Sequence, residues 1–206
     1  MPLSYNLDQT NCFTVLMTKH LSCDLSSVYI SSPIGSMIIK SCTKGLHSVS
    51  QSDAIDDSNF DVIAGKCKSV KHDMDPKQLE KHYPIINDCV AWLSLYFSEP
   101  QMISSLQLPE LCPTVATDKF HGRVWITLAQ QVGLGSTVSY KDLAKMAGSP
   151  GAARAVGSAM ANNPFQIVVP CHRVLPSSGR LGNYAYGKKN KVKSWLLHHE
   201  GVSVLI

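Results

Sequence analysis

The carboxyl-terminal part of the chain has almost no acidic residues. Residues 119–206 contain 2 Asp and Glu against 11 Lys and Arg, whereas residues 1–118 contain 13 against 8. The net charges of the two parts are therefore +9 and −5, within a chain of 206 residues that carries +4. Such a basic half is typical of proteins that bind a polyanion, most simply nucleic acid, although charge alone fits a solvated basic surface equally well.

The chain also lacks long apolar runs, and its first residues lack the charged-then-apolar plan of a signal peptide. We therefore expect no membrane segment and an intracellular, reducing compartment. The seven cysteines are an odd number in a chain too long for a disulfide-stapled miniprotein. This count favours metal binding or thiol reactivity over a disulfide framework.

Apolar spacing predicts a small antiparallel sheet near the N-terminus. Four segments are strand-like: 13–18, 27–31, 37–42 and 46–49. A polar segment over 51–76 predicts a long loop, and a helix follows near 86–97. The irregular, proline-containing segment 98–118 suggests a boundary between an N-terminal domain, 1–118, and a C-terminal domain, 119–206.

The C-terminal part is predicted to be mainly helical. Periodicity indicates a helix over 124–132, a second capped by Ser139, a third over 152–162 and a last one over 191–200. A short glycine-containing turn joins the second and third, which is the plan of a helix-turn-helix. The expected fold class is therefore α/β, of the α+β kind: a sheet with a helix, followed by a helical domain with a DNA-binding helix-turn-helix.

The third predicted helix is unusual because its side chains are nearly all small, and Arg154 is the only long cation among them. Helices that read the major groove carry several long polar side chains, whereas small ones allow a close, sequence-tolerant approach to the minor groove. A single arginine on such a face could take the place of a base extruded from the duplex. The alternative is a small-residue helix packed within a core.

Cys171 and His172 form the sequence feature that most directly suggests chemistry. They follow Pro170 and an apolar run, Ile167–Val169, that predicts a short buried strand. The thiolate is the reactive form of cysteine, and a neighbouring base can generate it. The alternative is a buried core cysteine beside a surface histidine.

Together these motifs resemble those of the O6-alkylguanine-DNA alkyltransferase (methylated-DNA–protein-cysteine methyltransferase) family. The resemblance covers most of residues 23–201 and is carried by Ser139-Tyr140, Ala152-Ala153-Arg154-Ala155-Val156-Gly157, Asn163-Pro164, Pro170-Cys171-His172-Arg173-Val174, Gly182-Asn183-Tyr184 and Trp195-Leu196-Leu197-x-His199-Glu200-Gly201. It implies a DNA-repair enzyme that flips a damaged base from the duplex. The alkyl group of O6-alkylguanine, or of O4-alkylthymine, would pass once to Cys171 by in-line displacement, without an organic cofactor.

The resemblance also implies roles by position. Cys171 would accept the alkyl group, His172 would deprotonate it through a water, and Glu200 would orient His172. Asn163 would brace the active-site turn, and Arg154 would replace the flipped nucleotide. Six further positions would contact DNA: Tyr140, Ala153, Ser158, Arg123, Thr127 and Lys141. Seven would form the substrate pocket: Met160, Val174, Gly182, Tyr184, Ala185, Tyr186 and Lys193.

A structural zinc site is a further implication of the resemblance. Cys23, Cys42 and His47 fall where vertebrate members have zinc ligands, and Cys112 matches the fourth position after a one-residue shift. Three cysteines and one histidine suit a closed tetrahedral zinc site. The alternative is a set of independent buried cysteines and a loop histidine. Cys89 is expected in the core, and Cys12 and Cys67 have no assigned role.

The implied partner is double-stranded DNA that contains O6-alkylguanine, bound by a nuclear protein that is a monomer and can bind cooperatively. Two other functions fit parts of the sequence. A non-enzymatic binder of alkylated DNA would lack the acceptor cysteine, and the presence of Cys171 argues against it. A cysteine hydrolase would use Cys171 and His172, but it would give no reason for the Arg154 helix.

Two departures from the family pattern predict a restricted pocket. Gln166 stands where vertebrate members have an apolar proline, and Tyr186 places a large ring where they have glycine. We therefore expect O6-methylguanine in DNA to react well and free O6-benzylguanine to inactivate the protein much more slowly. The measurement is the second-order rate constant of each reaction, and equal constants would contradict the prediction.

Overall fold

The computed structural model describes residues 23–61, 71–72, 84–116 and 119–205. Cys12, Cys67 and the strand expected over 13–18 lie outside these residues. Within them, a small antiparallel sheet and several helices confirm the predicted mixed fold class. None of the helices in the described residues is long and apolar enough to cross a membrane.

The N-terminal part is an antiparallel sheet with strand order β3-β2-β1-β4. The strands are β1 (Ser26–Ser32), β2 (Gly35–Cys42), β3 (Gly45–Gln51) and β4 (Lys71–His72). Buried and solvent-facing residues alternate along β1 because successive side chains of a strand point to opposite faces. The loop expected over 51–76 is wrong at Lys71–His72, which pair with the free edge of β1.

Helix α1 (Pro84–Ser98) covers the sheet with one apolar face. It begins at Pro84, whose missing N–H is unneeded in a first turn. Ile86, Leu93 and Phe97 are fully buried, as their spacing predicts. The following segment, expected to be irregular, opens with a 3-10 helix, Pro100–Ser105.

The segment after this 3-10 helix returns to the sheet beside Gly45. The amide of Leu46 donates to the carbonyl of Glu110 at 2.7 Å, and the amide of Cys112 donates to the carbonyl of Leu46 at 2.8 Å. Gly45 has a φ of +138°, and a Cβ there would lie 2.7 Å from the amide nitrogen of Cys112. Only glycine allows this approach, so Gly45 fixes Cys112 next to the strand ends.

The C-terminal part is mainly helical, as predicted. Its helices are α2 (Phe120–Gln131), α3 (Tyr140–Met146), α4 (Ala153–Ala161) and α5 (Asn190–His199). A short parallel pair of strands, β5 (Val138–Ser139) and β6 (Val174–Leu175), joins the residues just before α3 to those just after Arg173. The hydroxyl of Ser139 accepts from the amide of Asp142 at 3.0 Å, which confirms the expected cap of α3.

The strand expected over Ile167–Val169 is wrong, although all three side chains are buried. The backbone turns there: Ile167 has a φ of 73°, and the amide of Val169 donates to the carbonyl of Phe165 at 2.8 Å. An apolar run indicates burial, but it cannot distinguish a strand from a buried turn. Phe165, just before the reversal, bridges to Val49 of the sheet, and Val49 lines the same cavity as Cys171.

One cluster of buried apolar side chains extends through both parts of the chain. It includes Ile39 and Phe97 from the N-terminal part and Val124, Phe165 and Leu196 from the C-terminal part. Cys89 belongs to it, as predicted. The division at residue 118 stays a prediction, and the shared core means that the two parts pack as neighbours along a broad face.

Candidate active site

Cys171 opens a 3-10 turn, Cys171–Arg173, immediately before β6. Its side chain lines a cavity of about 460 Å³ that opens to solvent. Five of the positions that the resemblance assigned to the pocket or to DNA contact line the same cavity: Tyr140, Met160, Tyr184, Ala185 and Tyr186. The thiol is therefore reachable from outside although the residue is only 9% exposed.

Three residues expected in the pocket are not among those that line this cavity: Val174, Gly182 and Lys193. Lys193 is buried, and its ammonium donates to the carbonyl of Val174 at 2.9 Å. Gly182 has a φ of +63°, and a Cβ there would lie 2.9 Å from the ring of Pro176. Their assignment to the substrate pocket therefore stays a prediction.

The sheet supplies cavity residues that sequence reasoning missed. Gln51 and Asp53, at and just after the end of β3, line the cavity together with Gln166. The amide of Gln51 donates to the side-chain oxygen of Gln166 at 2.8 Å. No local pattern could have revealed this contact because Gln51 and Gln166 are 115 positions apart.

His172 and Glu200 form a fully buried pair, and neither residue lines the cavity. The Nε2 of His172 lies 2.7 Å from Oε1 of Glu200. A carboxylate accepts, so Nε2 carries the proton and Nδ1 keeps the basic lone pair. Nδ1 is buried and has no hydrogen-bond partner in the described residues. Burial lowers the pKa of His172 despite the opposing attraction of Glu200, so the imidazole is neutral at physiological pH.

Glu200 is held by two side chains that sequence reasoning did not assign. Arg173 donates through Nε to Oε2 at 2.7 Å and through Nη2 to Oε1 at 2.9 Å, and the Tyr96 hydroxyl donates to Oε1 at 2.8 Å. Burial alone would raise the pKa of Glu200, but His172 and Arg173 hold it far below its usual range. The carboxylate is therefore ionised throughout the physiological range, not a surface salt-bridge partner.

The position of Arg173 in the quoted motif Pro170–Val174 was the available signal for its importance, since it directly follows His172. Tyr96 lies within residues 23–201, most of which the resemblance covers. Neither observation says which groups meet in space. Only the fold shows that Arg173 and Tyr96 both contact Glu200.

The thiol of Cys171 is protonated at rest. Burial raises its pKa, while Asn163, Tyr184 and Lys193 act in the opposite direction without cancelling the shift. The sulfur lies 3.7 Å from the hydroxyl oxygen of Tyr184. Burial also lowers the pKa of Lys193 to about 8. A nucleophilic reaction therefore needs a base that removes the thiol proton.

Asn163 ties together the turn that carries Cys171. Its Nδ2 donates to the carbonyl of Val169 at 2.9 Å, and its Oδ1 accepts from the amide of Phe165 at 3.0 Å. The side chain thus replaces strand pairing with local hydrogen bonds across the reversed backbone. This arrangement matches the bracing position that the resemblance gave to Asn163.

Helix α4 has one side buried in the core and the other exposed. Val156 and Ala159 are buried, and the indole of Trp125 donates to the carbonyl of Ala159 at 2.8 Å. Arg154 and Ser158 are exposed on the other side, while Ala153 is half-buried. The remaining positions expected at DNA lie nearby on α2 and α3: Arg123 and Lys141 are exposed, and Thr127 and Tyr140 are half-buried.

The four expected metal ligands converge at one end of the sheet. Their ligand atoms all lie within 4.8 Å of one another. The sulfur of Cys112 is 4.0 Å from that of Cys23 and 3.5 Å from that of Cys42, and Nε2 of His47 is 3.3 Å from the Cys42 sulfur. Sulfurs that bind one zinc ion tetrahedrally at about 2.3 Å are about 3.8 Å apart. The cluster could therefore hold a metal ion.

Comparison with known proteins gives one consistent family. A sequence model described as the DNA-binding domain of 6-O-methylguanine DNA methyltransferase matches residues 119–202. The methylated-DNA–protein-cysteine methyltransferase of Rattus norvegicus is 39% identical over 181 residues, which cover 87% of this chain and 84% of the relative. The Homo sapiens protein of the same name is 36% identical over 187 residues, with 87% and 82% coverage.

Solved structures give the same result for the fold. The crystal structure of Mycobacterium tuberculosis OGT in complex with DNA has a TM-score of 0.58 and 29% sequence identity. The match covers 84% of this chain and 91% of the other. The crystal structure of the M. tuberculosis O6-methylguanine methyltransferase gives 0.59 and 28%, with coverage of 86% and 93%.

Replacement of Arg173 tests how the Glu200 carboxylate is stabilised. We expect Arg173→Met to lower the free energy of unfolding near pH 7 by about 3 kcal/mol, because it leaves a buried carboxylate without its cation. The difference from the unmodified protein should shrink as pH falls below about 5, since Glu200 in the variant then takes up a proton. Chemical unfolding at several pH values measures both effects.

The matched control is Arg180→Met, because Arg180 is an exposed arginine on a neighbouring loop. It should change the free energy of unfolding by less than about 0.5 kcal/mol at all pH values. A loss for Arg173→Met that does not depend on pH would show that packing, rather than the paired carboxylate, is what Arg173 supports.

Proposed function

Because the chain belongs to the methylated-DNA–protein-cysteine methyltransferase family, we propose that Cys171 is the residue that receives the alkyl group. The protein is a DNA-repair enzyme that transfers the alkyl group of O6-alkylguanine in DNA to one of its own cysteines. One observation carries the assignment to Cys171: it lines the cavity, and the next residue, His172, forms a buried pair with Glu200. Among the described cysteines, only Cys171 lines this cavity.

The proposed reaction is a direct displacement at the alkyl carbon. The Cys171 sulfur forms a bond to that carbon as the bond from carbon to guanine O6 breaks, so the electron pair leaves with O6. The thiol proton passes to Nδ1 of His172, through a water in the proposed path. The departing guanine takes up one proton from solvent, and His172 later releases its proton to solvent. The thioether is stable, so each molecule reacts once.

The charges around His172 suit this proton transfer. A neutral imidazole can accept a proton, and the ionised Glu200 beside Nε2 stabilises the imidazolium that results. Tyr140 lines the same cavity and offers a hydroxyl to the guanine edge. Its pKa is raised by burial and by the nearby Cys171, so it remains a donor during the reaction.

The DNA-binding surface is proposed to be the helix-turn-helix α3–α4. The exposed face of α4 has small side chains around Arg154, which fits a close approach to the minor groove. Arg154 would fill the place of the flipped nucleotide, while Ala153, Ser158, Arg123, Thr127 and Lys141 would contact the backbone. The net charge of +9 over residues 119–206 supports binding of the DNA phosphates by this part of the chain.

The cysteine and histidine cluster is proposed to bind structural zinc. Cys23, Cys42, His47 and Cys112 supply three thiolates and one imidazole, a donor set that favours zinc over harder ions. The ion would join the strands to the segment after the 3-10 helix and would take no part in the alkyl transfer. Nuclear residence, inferred from the DNA substrate, also belongs to this proposal, as do a monomeric state and cooperative binding on DNA.

A non-enzymatic binder of alkylated DNA is the second candidate, and it has no specific observation in its favour. Such a protein would need the cavity but not the thiol or the base. Here the thiol, a neutral buried imidazole and its carboxylate occur together. A protein that only binds alkylated DNA would not require this combination.

Alkyl transfer is tested by weighing the intact protein. After incubation with duplex DNA that contains O6-methylguanine, we expect the mass to rise by one methyl group in place of one hydrogen. Cys171→Ala should abolish the gain, whereas Cys89→Ala, which changes a buried cysteine outside the cavity, should keep it. Tight binding without any gain in mass would instead support the non-enzymatic binder.

Metal content tests the zinc proposal separately. We expect about one zinc per chain in protein purified without chelators, and a clear loss in Cys112→Ser, because four ligands close the site. Removal of the metal should lower the melting temperature but leave transfer in the folded protein intact. Elemental analysis and thermal unfolding give the two readouts, with Cys89→Ala as the control. A full complement of zinc in Cys112→Ser would show that Cys112 is not a ligand.

A further inference from the structure

The hydroxyl of Tyr96 donates to Oε1 of Glu200, the same oxygen that faces His172. From this geometry we propose that Tyr96 is a positioning residue: it sets the Glu200 carboxylate and, through it, how strongly His172 holds a proton. The inference rests on the proposed function for what His172 does. It adds a contribution of the N-terminal part of the chain to the reaction, through a residue that touches neither the substrate nor the sulfur.

The phenol is fixed from several sides, so its donor cannot turn away. Tyr96 is completely buried, and its ring lies parallel to that of Trp92 with centroids 5.9 Å apart. The edge of Phe97 packs on it at 5.1 Å. The backbone carbonyl of Tyr96 accepts from Nε2 of His199 at 2.7 Å. Helix α1 is thereby tied to α5 at the backbone and at the ring tip.

Oε1 of Glu200 has three donors at similar distances. They are the Tyr96 hydroxyl at 2.8 Å, Nε2 of His172 at 2.7 Å and Nη2 of Arg173 at 2.9 Å. Every donor that shares the oxygen draws electron density from it and weakens its attraction for the others. The Tyr96 bond therefore makes Glu200 a weaker partner for the imidazolium form of His172, which favours the neutral base.

The titratable groups near His172 in the described residues differ in the direction of their effect on its pKa. The carboxylate of Glu200 favours the imidazolium, whereas the cations of Arg173 and Lys193 disfavour it. Cys171 and Tyr184 are neutral at rest because burial raises the pKa of each. Tyr96 adds no charge: burial and the adjacent Glu200 raise its pKa well above 10, so it donates throughout the working range.

The test is the pH dependence of single-turnover alkyl transfer in Tyr96→Phe. The change removes one hydroxyl and keeps the ring. Without this donor, Oε1 binds the imidazolium more tightly, so the pKa of His172 rises. We expect the acid limb of the rate profile to move up by about half a pH unit, with a roughly threefold slower rate below the limb and a rate above pH 8 within about twofold of the unmodified protein.

The matched control is Tyr29→Phe, which removes a hydroxyl from an exposed tyrosine on β1. It should leave the profile unchanged. Titration of histidine ring resonances gives a second readout: in Tyr96→Phe the resonance of His172 should titrate at higher pH than in the unmodified protein. A purely structural role for Tyr96 would lower the melting temperature without either shift.

A second variant protects the test against poor folding. Site-specific 3-fluorotyrosine at position 96 keeps the ring and makes its hydroxyl a stronger donor, so the acid limb should move down. Profiles that stay unchanged in both variants, while the unmodified protein transfers its methyl group, would overturn the role of Tyr96 and leave the proposed function intact. Absence of transfer by the unmodified protein would overturn the proposed function itself.

Discussion

The buried carboxylate of Glu200 is the constraint on which the arrangement of the site depends. A charge removed from water is costly unless hydrogen bonds and an opposite charge compensate for it. Glu200 meets this requirement with four hydrogen bonds from Tyr96, His172 and Arg173. These donors come from α1 and from the turn that begins at Cys171, while Glu200 itself ends α5. The carboxylate is satisfied only when all three elements are in register, so the site and the fold stabilise each other.

The segment that follows β3 helps to position helix α5. The carboxylate of Asp57, in the segment after β3, accepts from the amides of Asn190 and Lys191 at 3.0 and 2.8 Å. It thus caps the N-terminus of α5, where negative charge is favoured by the helix dipole. Lys189 donates to the carbonyl of Ser52 at 2.9 Å from the same loop. Both ends of α5 are therefore positioned by residues from the N-terminal part of the chain.

The mouth of the cavity combines backbone strain with an exposed ring. Ala185 and Tyr186 have φ values of 48° and 58°, a left-handed backbone conformation that residues other than glycine rarely adopt. Tyr186 is 78% exposed, so its ring is not held there by burial. Gln166 forms another side of the same cavity and is held by Gln51. The polar side chain of Gln166 and the exposed ring of Tyr186 distinguish this cavity from one that has proline and glycine at these two positions.

The sequence by itself determined the local features. Apolar spacing was enough for α1 and the helices of the C-terminal part, and the hydroxyl at Ser139 was enough for the cap of α3. The sequence alone shows that Cys171 and His172 are neighbours. The family resemblance implied roles for Glu200, Asn163 and the four residues of the metal cluster. The predictions of the helices and of the cap are confirmed, because each depends only on neighbours in the chain. The roles of the site residues stay predictions.

Only the tertiary structure decided which distant groups meet. Tyr96 and Glu200 are 104 positions apart, and Gln51 and Gln166 are 115 apart. The same reason explains the turn at Ile167–Val169, since an apolar run records burial but not whether a partner strand is present. Local spacing fixes the periodicity of an element. The hydrogen-bond partners of a buried charge depend instead on how whole elements pack, which no short stretch of sequence contains.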